Sequence, residues 1–505
     1  MRNWWPSALA GLAGAGAGSL ALGTGELAAG LLDGPSPIAA IGAVVIDLQP
    51  PGAKDFVVAL FGDNDKLALE VATASGGIVV GALLGLVARR DYRLAAAGFV
   101  AFGAVALMAA LRDPLVTVAI ASIVVAAAVG AGIGALRWLL PETVGVVRAP
   151  DSGRRQLVLL GATALVFGGV LAVVGRWLTA RAPTVSEPAV VPHPRQTLPP
   201  PPAAAAFTDV DGLSPLIVPN DQFYRIDTRL SIPRLAAPGW RIGIGGLVDR
   251  PFELNYEELV RMPLVERYVT IACVSNEVGG ELVGNAKWAG VPLLPLLERA
   301  GIRPEATQVV GRSFDGWTAG FPTEHLRGAG GDAMIALLMN GELLPPAHGF
   351  PARLIVPGLF GYVSATKWLS EIELTRWEDF DAYWVPLGWA KEGPILTQSR
   401  IDVPRNGGRV AAGRVTVAGV AWAPTRGISA VEVQVGDGAW QPAQLSVPLA
   451  DAAWVQWKAV VELAAGQTTL TVRASDGTGA LQEERRTPPA PDGARGWHRI
   501  HVNVA

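Results

Sequence analysis

Long apolar runs dominate the first third of the chain, and short alternating runs dominate the remainder. Crossing a bilayer core takes about 20 mostly apolar residues. Five stretches meet that length: Ala8–Leu32, Leu67–Ala88, Tyr92–Leu111, Leu115–Leu139 and Leu157–Leu178. A sixth, Ile38–Gly62, carries Asp47, Lys54 and Asp55 around Pro50-Pro51-Gly52. Charges near a helix centre cost roughly 2.5–3.5 kcal/mol each, against gains of about 0.3–0.6 for Leu or Val. Residues 33–66 are therefore expected to form an outer loop with a dipping or surface-lying hairpin. Arg2, the cluster Arg89, Arg90 and Arg93, and the group Arg137, Arg148, Arg154 and Arg155 mark the cytoplasmic side. Five crossings satisfy all three groups and leave everything after Leu178 outside.

Beyond the helices, residues 183–202 are rich in proline and predict a semi-rigid spacer. The next part, about 207–390, mixes strand-like runs (Arg241–Ile244, Arg267–Ala272, Gln308–Gly311, Arg353–Val356) with helix-like ones (Tyr256–Arg261, Leu293–Ala300). From about 391 the pattern changes to alternating segments separated by Gly/Asp turns: Val415–Val420, Ala430–Val435, Trp457–Leu463 and Thr468–Ala474. That spacing predicts an immunoglobulin-like β-sandwich. The expected architecture is thus an N-terminal α-helical transmembrane bundle (1–180), a linker (181–206), an α+β domain (207–390) and the β-sandwich (391–505).

Composition narrows the function. A net charge of −3 argues against nucleic-acid binding. One cysteine excludes an intramolecular disulfide and gives no ligand set for an iron–sulfur cluster. The histidines, at 193, 325, 348, 498 and 501, all follow the apolar runs, so no haem is expected among the helices. Ser152-Gly-Arg-Arg-Gln-Leu-Val158 before the last run reads either as an internal twin-arginine signal or as an ordinary positive flank. Glu26 and Glu70, inside apolar runs, mark either a functional site or helix packing.

Candidate chemistry centres on Cys273. It ends the β-type run Tyr268-Val-Thr-Ile-Ala-Cys273, ahead of a polar, glycine-containing loop. A thiol there can be a small buried hydrophobe, a nucleophile partnered by His325 or His348, or a soft metal ligand. Neighbouring motifs bear on the choice. Thr270-Ile-Ala-Cys273-Val-Ser-Asn276, then Trp288-Ala-Gly-Val-Pro292, then Met339-Asn-Gly-Glu342 running into His348-Gly-Phe-Pro-x-Arg353, closing with Lys367-Trp368, resembles the molybdopterin domain of the sulfite-oxidase family. The resemblance spans about 207–505, with the C-terminal part similar to that family's dimerisation domain.

The resemblance implies a molybdopterin cofactor, with Cys273 as metal ligand and Cys273 and Arg225 as catalytic residues. It implies cofactor contacts from Asn220, Tyr224, Arg225, Asp227, Ser275, Asn276, Asp315, His348, Arg353, Ala365, Thr366 and Lys367. Of these, His348 and Arg353 suit the pterin phosphate. Structural roles stand beside these: Asp315 as a turn former, Asn276 as a loop cap, Trp288 and Trp368 as core. The implied activity is two-electron oxygen-atom transfer, in either direction, on a small oxyanion or sulfoxide-type molecule; the five-span topology puts it outside a bacterial cell membrane, with a quinone or haem subunit as a separate electron partner. Sulfite is one candidate substrate. Arg225, Arg229 and Arg312 would compensate for Glu277 and Val278, which follow Cys273 where sulfite oxidisers carry arginine. A sulfoxide or other oxyanion reductase fits equally. Membrane lipid and a second copy, through the C-terminal domain, are the other expected partners. The alternative is a degenerate member acting as a membrane-tethered scaffold.

Overall fold

The computed structural model describes residues 5–48, 65–113, 116–140, 151–181, 190–195, 197–230 and 232–505. It divides into two compact units, Met1–Thr184 with Thr228–Pro233, and Val185–Asp227 with Arg234–Ala505.

The first unit contains helices α1 (Trp5–Leu32), α2 (Pro37–Leu48), α3 (Asp65–Ala88), α4 (Tyr92–Ala110), α5 (Val118–Leu139) and α6 (Asp151–Arg181). Five of these, all but α2, are long and apolar enough to cross a membrane. Helix α2, at 12 residues, reaches only about 18 Å, too short for a crossing. The rest of the expected hairpin, 49–64, lies outside the described residues. Helix α1 is rich in small residues, so neighbouring backbones approach it closely. A methyl group added at Gly23 would lie 2.1 Å from the Gly168 carbonyl of α6, and one at Gly14 would lie 2.2 Å from the Gly81 carbonyl of α3. Glu26 accepts from Ser36 Oγ (2.7 Å) and the Ile38 N–H (3.1 Å), tying α1 to the start of α2. Glu70 pairs with Arg176. Both carboxylates thus hold helices together. In the segment Thr228–Pro233, Arg229 pairs with Asp113.

The second unit begins with an extended proline-rich stretch. That stretch is not a free spacer throughout: the Leu198 N–H donates to Glu266 (2.7 Å), and the Ala204 carbonyl accepts from Val447 (2.9 Å). Proline cannot supply N–H donors, so the groups left over pair with neighbours instead. Ten strands follow: β1 (Arg241–Gly246), β2 (Phe252–Asn255), β3 (Val265–Ala272), β4 (Val283–Pro292), β5 (Gln308–Ser313), β6 (Thr318–Pro322), β7 (Met334–Met339), β8 (Glu342–Leu343), β9 (Arg353–Ile355) and β10 (Leu369–Thr375). They form two sheets. One has the order β3-β4-β7-β8 with β9 also on β7, and the other is β2-β1-β10-β5-β6. Short helices α7 (Tyr256–Val260), α8 (Leu293–Ala300) and α9 (Gly361–Ser364) join them. Asn255 and Glu258 start α7 with a reciprocal capping box.

The C-terminal part is β-rich. Strands β11 (Gln398–Val403), β12 (Arg409–Val410), β13 (Gly413–Trp422), β14 (Ile428–Val435), β15 (Gln441–Pro442), β16 (Gln444–Leu445), β17 (Val455–Leu463), β18 (Gly466–Asp476) and β19 (His498–Val504) make sheets β11-β13-β17-β16 and β12-β19-β18-β14-β15. Alternate residues of both sheets, among them Val417, Trp457, Val433, Leu470 and Ile500, share one buried core.

Candidate cofactor site

Strands β3 and β4 pair antiparallel from Val265↔Gly290 to Ala272↔Val283. One more bond, Cys273 N–H to the Leu282 carbonyl (2.9 Å), carries the ladder to the cysteine. The chain then turns away. Asn276 Oδ1 accepts from the Leu282 N–H (2.8 Å), and its own N–H returns to the Cys273 carbonyl (3.1 Å). Asn276 therefore closes the loop. Ser275 Oγ sits 2.9 Å from the Cys273 sulfur, which is largely buried. The thiol is thus held at a strand end by bonds on both sides.

A cationic pocket forms from residues more than a hundred positions apart. Asp227 accepts from Arg225 Nε (2.8 Å) and from Lys367 Nζ (2.9 Å), which also reaches the Ala347 carbonyl (3.0 Å). Arg353 leads β9 and is 3% exposed. Its Nη1 donates to the His348 carbonyl (3.1 Å), and its guanidinium lies 5.0 Å from the centre of the Trp288 ring. Its Nε–H has no partner among the described residues. Burial pulls the Arg353 guanidinium down to about 10 and Lys367 down to about 8. His348 Nε2 donates to the Asn220 carbonyl (2.8 Å), and burial, then the Arg353 charge, pulls the ring down to about 4. Burial holds the Tyr224 hydroxyl well above the usual phenol range, while the Arg353 charge draws it back.

Gly349 makes this convergence possible. Its φ is +110°, and a methyl there would lie 3.1 Å from both Arg353 Cβ and Lys367 Cα. Trp368, next to Lys367, takes the left-handed φ of 50° and is fixed by its indole N–H to the Pro346 carbonyl (2.8 Å). A bulky residue there is unusual, and such strain persists where surroundings enforce it.

Other expected residues have different tasks. The Asn220 side chain faces Met339, Glu342 and Asn340, leaving only its carbonyl to His348. Asp315 accepts from the Trp317 N–H (3.0 Å) and shapes the β5–β6 turn. The Thr366 hydroxyl points at the Gly311 carbonyl (3.4 Å) and is fully buried, and Ala365 is also buried. Of the three compensating arginines, Arg312 pairs with Glu373 and Arg229 with Asp113, so only Arg225 enters the pocket. Sequence reasoning placed Trp288 in the core. It is buried there, yet it also lies under Arg353, a role that an apolar-looking strand does not signal. Asn340, at φ 55°, ties the Val218–Asn220 segment to β4 through Lys287.

The pocket suits a phosphate. Arg225 and Lys367 face one carboxylate, Asp227, and the Arg353 charge acts on Lys367 beside them, leaving an excess of about two positive charges that a phosphate of charge near −2 would balance. A buried, unpaired guanidinium costs several kcal/mol unless an anion meets it, and the open Arg353 Nε–H supplies a donor for one.

The two depressed histidines also predict acid sensitivity. Burial brings His348 and His498 each to about 4 from 6.5. Both are neutral in the fold, so the stability they contribute is complete above pH 6.5 and is lost as pH falls towards 4. For His348 the loss by pH 4 is on the order of 3 kcal/mol. Melting of the full chain is expected to drop between pH 6.5 and 4.5, and less so in His348→Gln. A flat profile across that window would show that the rings are not held neutral.

Comparisons with known proteins point to one class of cofactor. A profile for the oxidoreductase molybdopterin binding domain matches residues 229–384. The chain is 34% identical over 154 residues to the uncharacterized oxidoreductase YuiH of Bacillus subtilis (strain 168), covering 30% of this chain and 74% of that protein. It is 29% identical over 342 residues to mitochondrial sulfite oxidase of Mus musculus, covering 57% of this chain and 62% of that protein. It therefore spans a little under two thirds of that relative's length. Among solved structures, the sulfane dehydrogenase SoxCD from Paracoccus pantotrophus matches with a TM-score of 0.51 at 24% identity, covering 63% of this chain and 93% of that one.

Proposed function

The chain belongs to the sulfite oxidase family of molybdopterin-dependent oxidoreductases, and from that premise we propose a membrane-anchored enzyme whose catalytic body lies outside a bacterial cell. Cys273 ligates the molybdenum, and the pocket of Arg225, Asp227, His348, Arg353 and Lys367 holds the pterin phosphate. The observation that carries this reading is the buried Arg353 guanidinium, which has no carboxylate partner and an open Nε–H among the described residues.

When bound, the cofactor supplies two-electron oxygen-atom transfer. The chain's own residues do the rest. Asp227 fixes Arg225 and Lys367 in place, Gly349 lets Lys367 and Arg353 approach, and the Asn276-capped loop sets the direction of the thiol. A small dianion such as sulfite calls for several charge-assisted bonds. Arg312 and Arg229 are committed elsewhere and Arg225 faces Asp227, so this arrangement favours an uncharged sulfoxide-type substrate over sulfite. The C-terminal sheets are read as an immunoglobulin-like sandwich suited to dimerisation, and the helices as a lipid anchor that brings the site near a quinone or haem-bearing electron partner. A scaffold role finds no support in a complete phosphate grip.

The test is a substrate screen on the purified full chain with artificial electron donors and acceptors. Turnover of sulfoxides, with little on sulfite, is expected. Sulfite turnover above that of every sulfoxide would overturn the substrate preference. Tags placed near Arg89 and after Pro202 check the sidedness in the same preparation, and should report opposite faces.

A further inference from the structure

The loop carrying the thiol is not held by its own sheet alone. Three residues before Cys273, the Thr270 N–H donates to the Ala452 carbonyl (2.9 Å), and the Thr270 hydroxyl accepts from the Trp454 N–H (2.8 Å). Seven residues after it, Arg400 of β11 donates through Nη1 to the Gly280 carbonyl (2.7 Å). The same guanidinium uses Nε on Asp402 (2.7 Å) and Nη2 on Ser214 Oγ (2.8 Å), and it is buried. His498 of β19 completes the grip. Its Nδ1 accepts from the Ile401 N–H (2.9 Å), which leaves the other ring nitrogen facing Gly279. A methyl at Gly279 would lie only 2.3 Å from that nitrogen, and Gly279 holds a φ of +82° that favours glycine.

We propose that the C-terminal β body is a positioning device for the reaction, with Arg400 and His498 as positioning residues that fix the loop after Cys273 and so the direction of its thiol. This rests on the reading that Cys273 ligates molybdenum. The physical reason is geometric. A loop bonded only to β4 would pivot about Cys273, whereas contacts on both sides of the cysteine from the C-terminal part of the same unit remove that freedom. Misplacement of a reacting group by about 1 Å can lower a rate on the order of a hundredfold. All three Arg400 contacts are directional, so a lysine keeps the charge opposite Asp402 while losing the fork that spans Asp402, Gly280 and Ser214.

Two variants of the full chain test this, Arg400→Lys and His498→Ala. The first keeps a cation opposite Asp402. The second removes the ring beside Gly279. Each is expected to keep the molybdenum-to-protein ratio and the oligomeric state of the unaltered chain. Each should lower kcat about tenfold with KM within about twofold. Cys273 is the chain's one cysteine, so alkylation reports this site alone, and in metal-free protein it should run at least about fivefold faster in both variants than in the unaltered chain. Unchanged kcat and alkylation in both would overturn the proposal, as would a change confined to KM, which would make Arg400 and His498 substrate contacts. The ligation reading has its own control. If alkylation of the unaltered chain is equally fast with and without molybdenum, ligation by Cys273 fails, while the metal-free comparison between variants still decides the clamp.

Discussion

Replacing Cys273 by serine is expected to leave the fold and the pterin content close to those of the unaltered chain while turnover falls at least about a thousandfold, equivalent to roughly 4 kcal/mol in the barrier. The two side chains have nearly the same shape. A serine hydroxyl at this position has Ser275 Oγ within reach, as the sulfur does at 2.9 Å, so no buried polar group is stranded. The chemistry differs. A metal removes the thiol proton outright and a soft thiolate suits this ion, whereas a hydroxyl is a harder and far weaker acid. The phosphate pocket is built from other residues, so cofactor retention and catalysis should separate. Unchanged turnover at full molybdenum content would remove Cys273 from the metal.

Arg353→Met should produce the opposite separation. Loss of a buried charge-assisted contact is worth about 3–5 kcal/mol, so copurifying pterin and molybdenum are expected to fall at least tenfold. The cofactor-free protein should nonetheless melt no lower than the unaltered apo chain, and somewhat higher. Its guanidinium has an open Nε–H and no carboxylate partner among the described residues, and methionine fills similar space against Trp288 without a charge to desolvate. Metal analysis and melting of the apo forms read the two effects independently. Full cofactor content in this variant would mean that the phosphate is held elsewhere.

Parts of this fold were legible because local pattern and tertiary demand agree. The run ending at Cys273 and the helix Leu293–Ala300 are where alternation and apolar spacing put them. Strand β7 was not, because Met334–Met339 is apolar and buried at every position, so it has no period to read. Strand β4 was missed for another reason: its glycines permit close backbone approach, and a methyl at Gly290 would lie 2.0 Å from the Ile335 carbonyl. The site divides in the same way. His348, Arg353 and Lys367 were singled out through the family resemblance, and they lie near one another. Asn276 and Asp315 had two readings from sequence, because a side chain that caps a loop and one that grips a ligand are the same residue type. Their oxygens face backbone N–H groups. The grip of Arg400 and His498 left no trace, since nothing in the spacing of 279, 400 and 498 says that they meet.

The glycine faces of α1 also set an order of events during synthesis. Its contacts at Gly23 and Gly30 are with Gly168 and Gly175, roughly 145 residues later. At about 5–20 residues per second, the ribosome takes on the order of ten seconds or more to make the segment that covers them. Until then α1 waits with its main chain bare along that side. A stalled or shortened product would therefore present quality-control proteases with the very surface that the finished bundle hides at its centre.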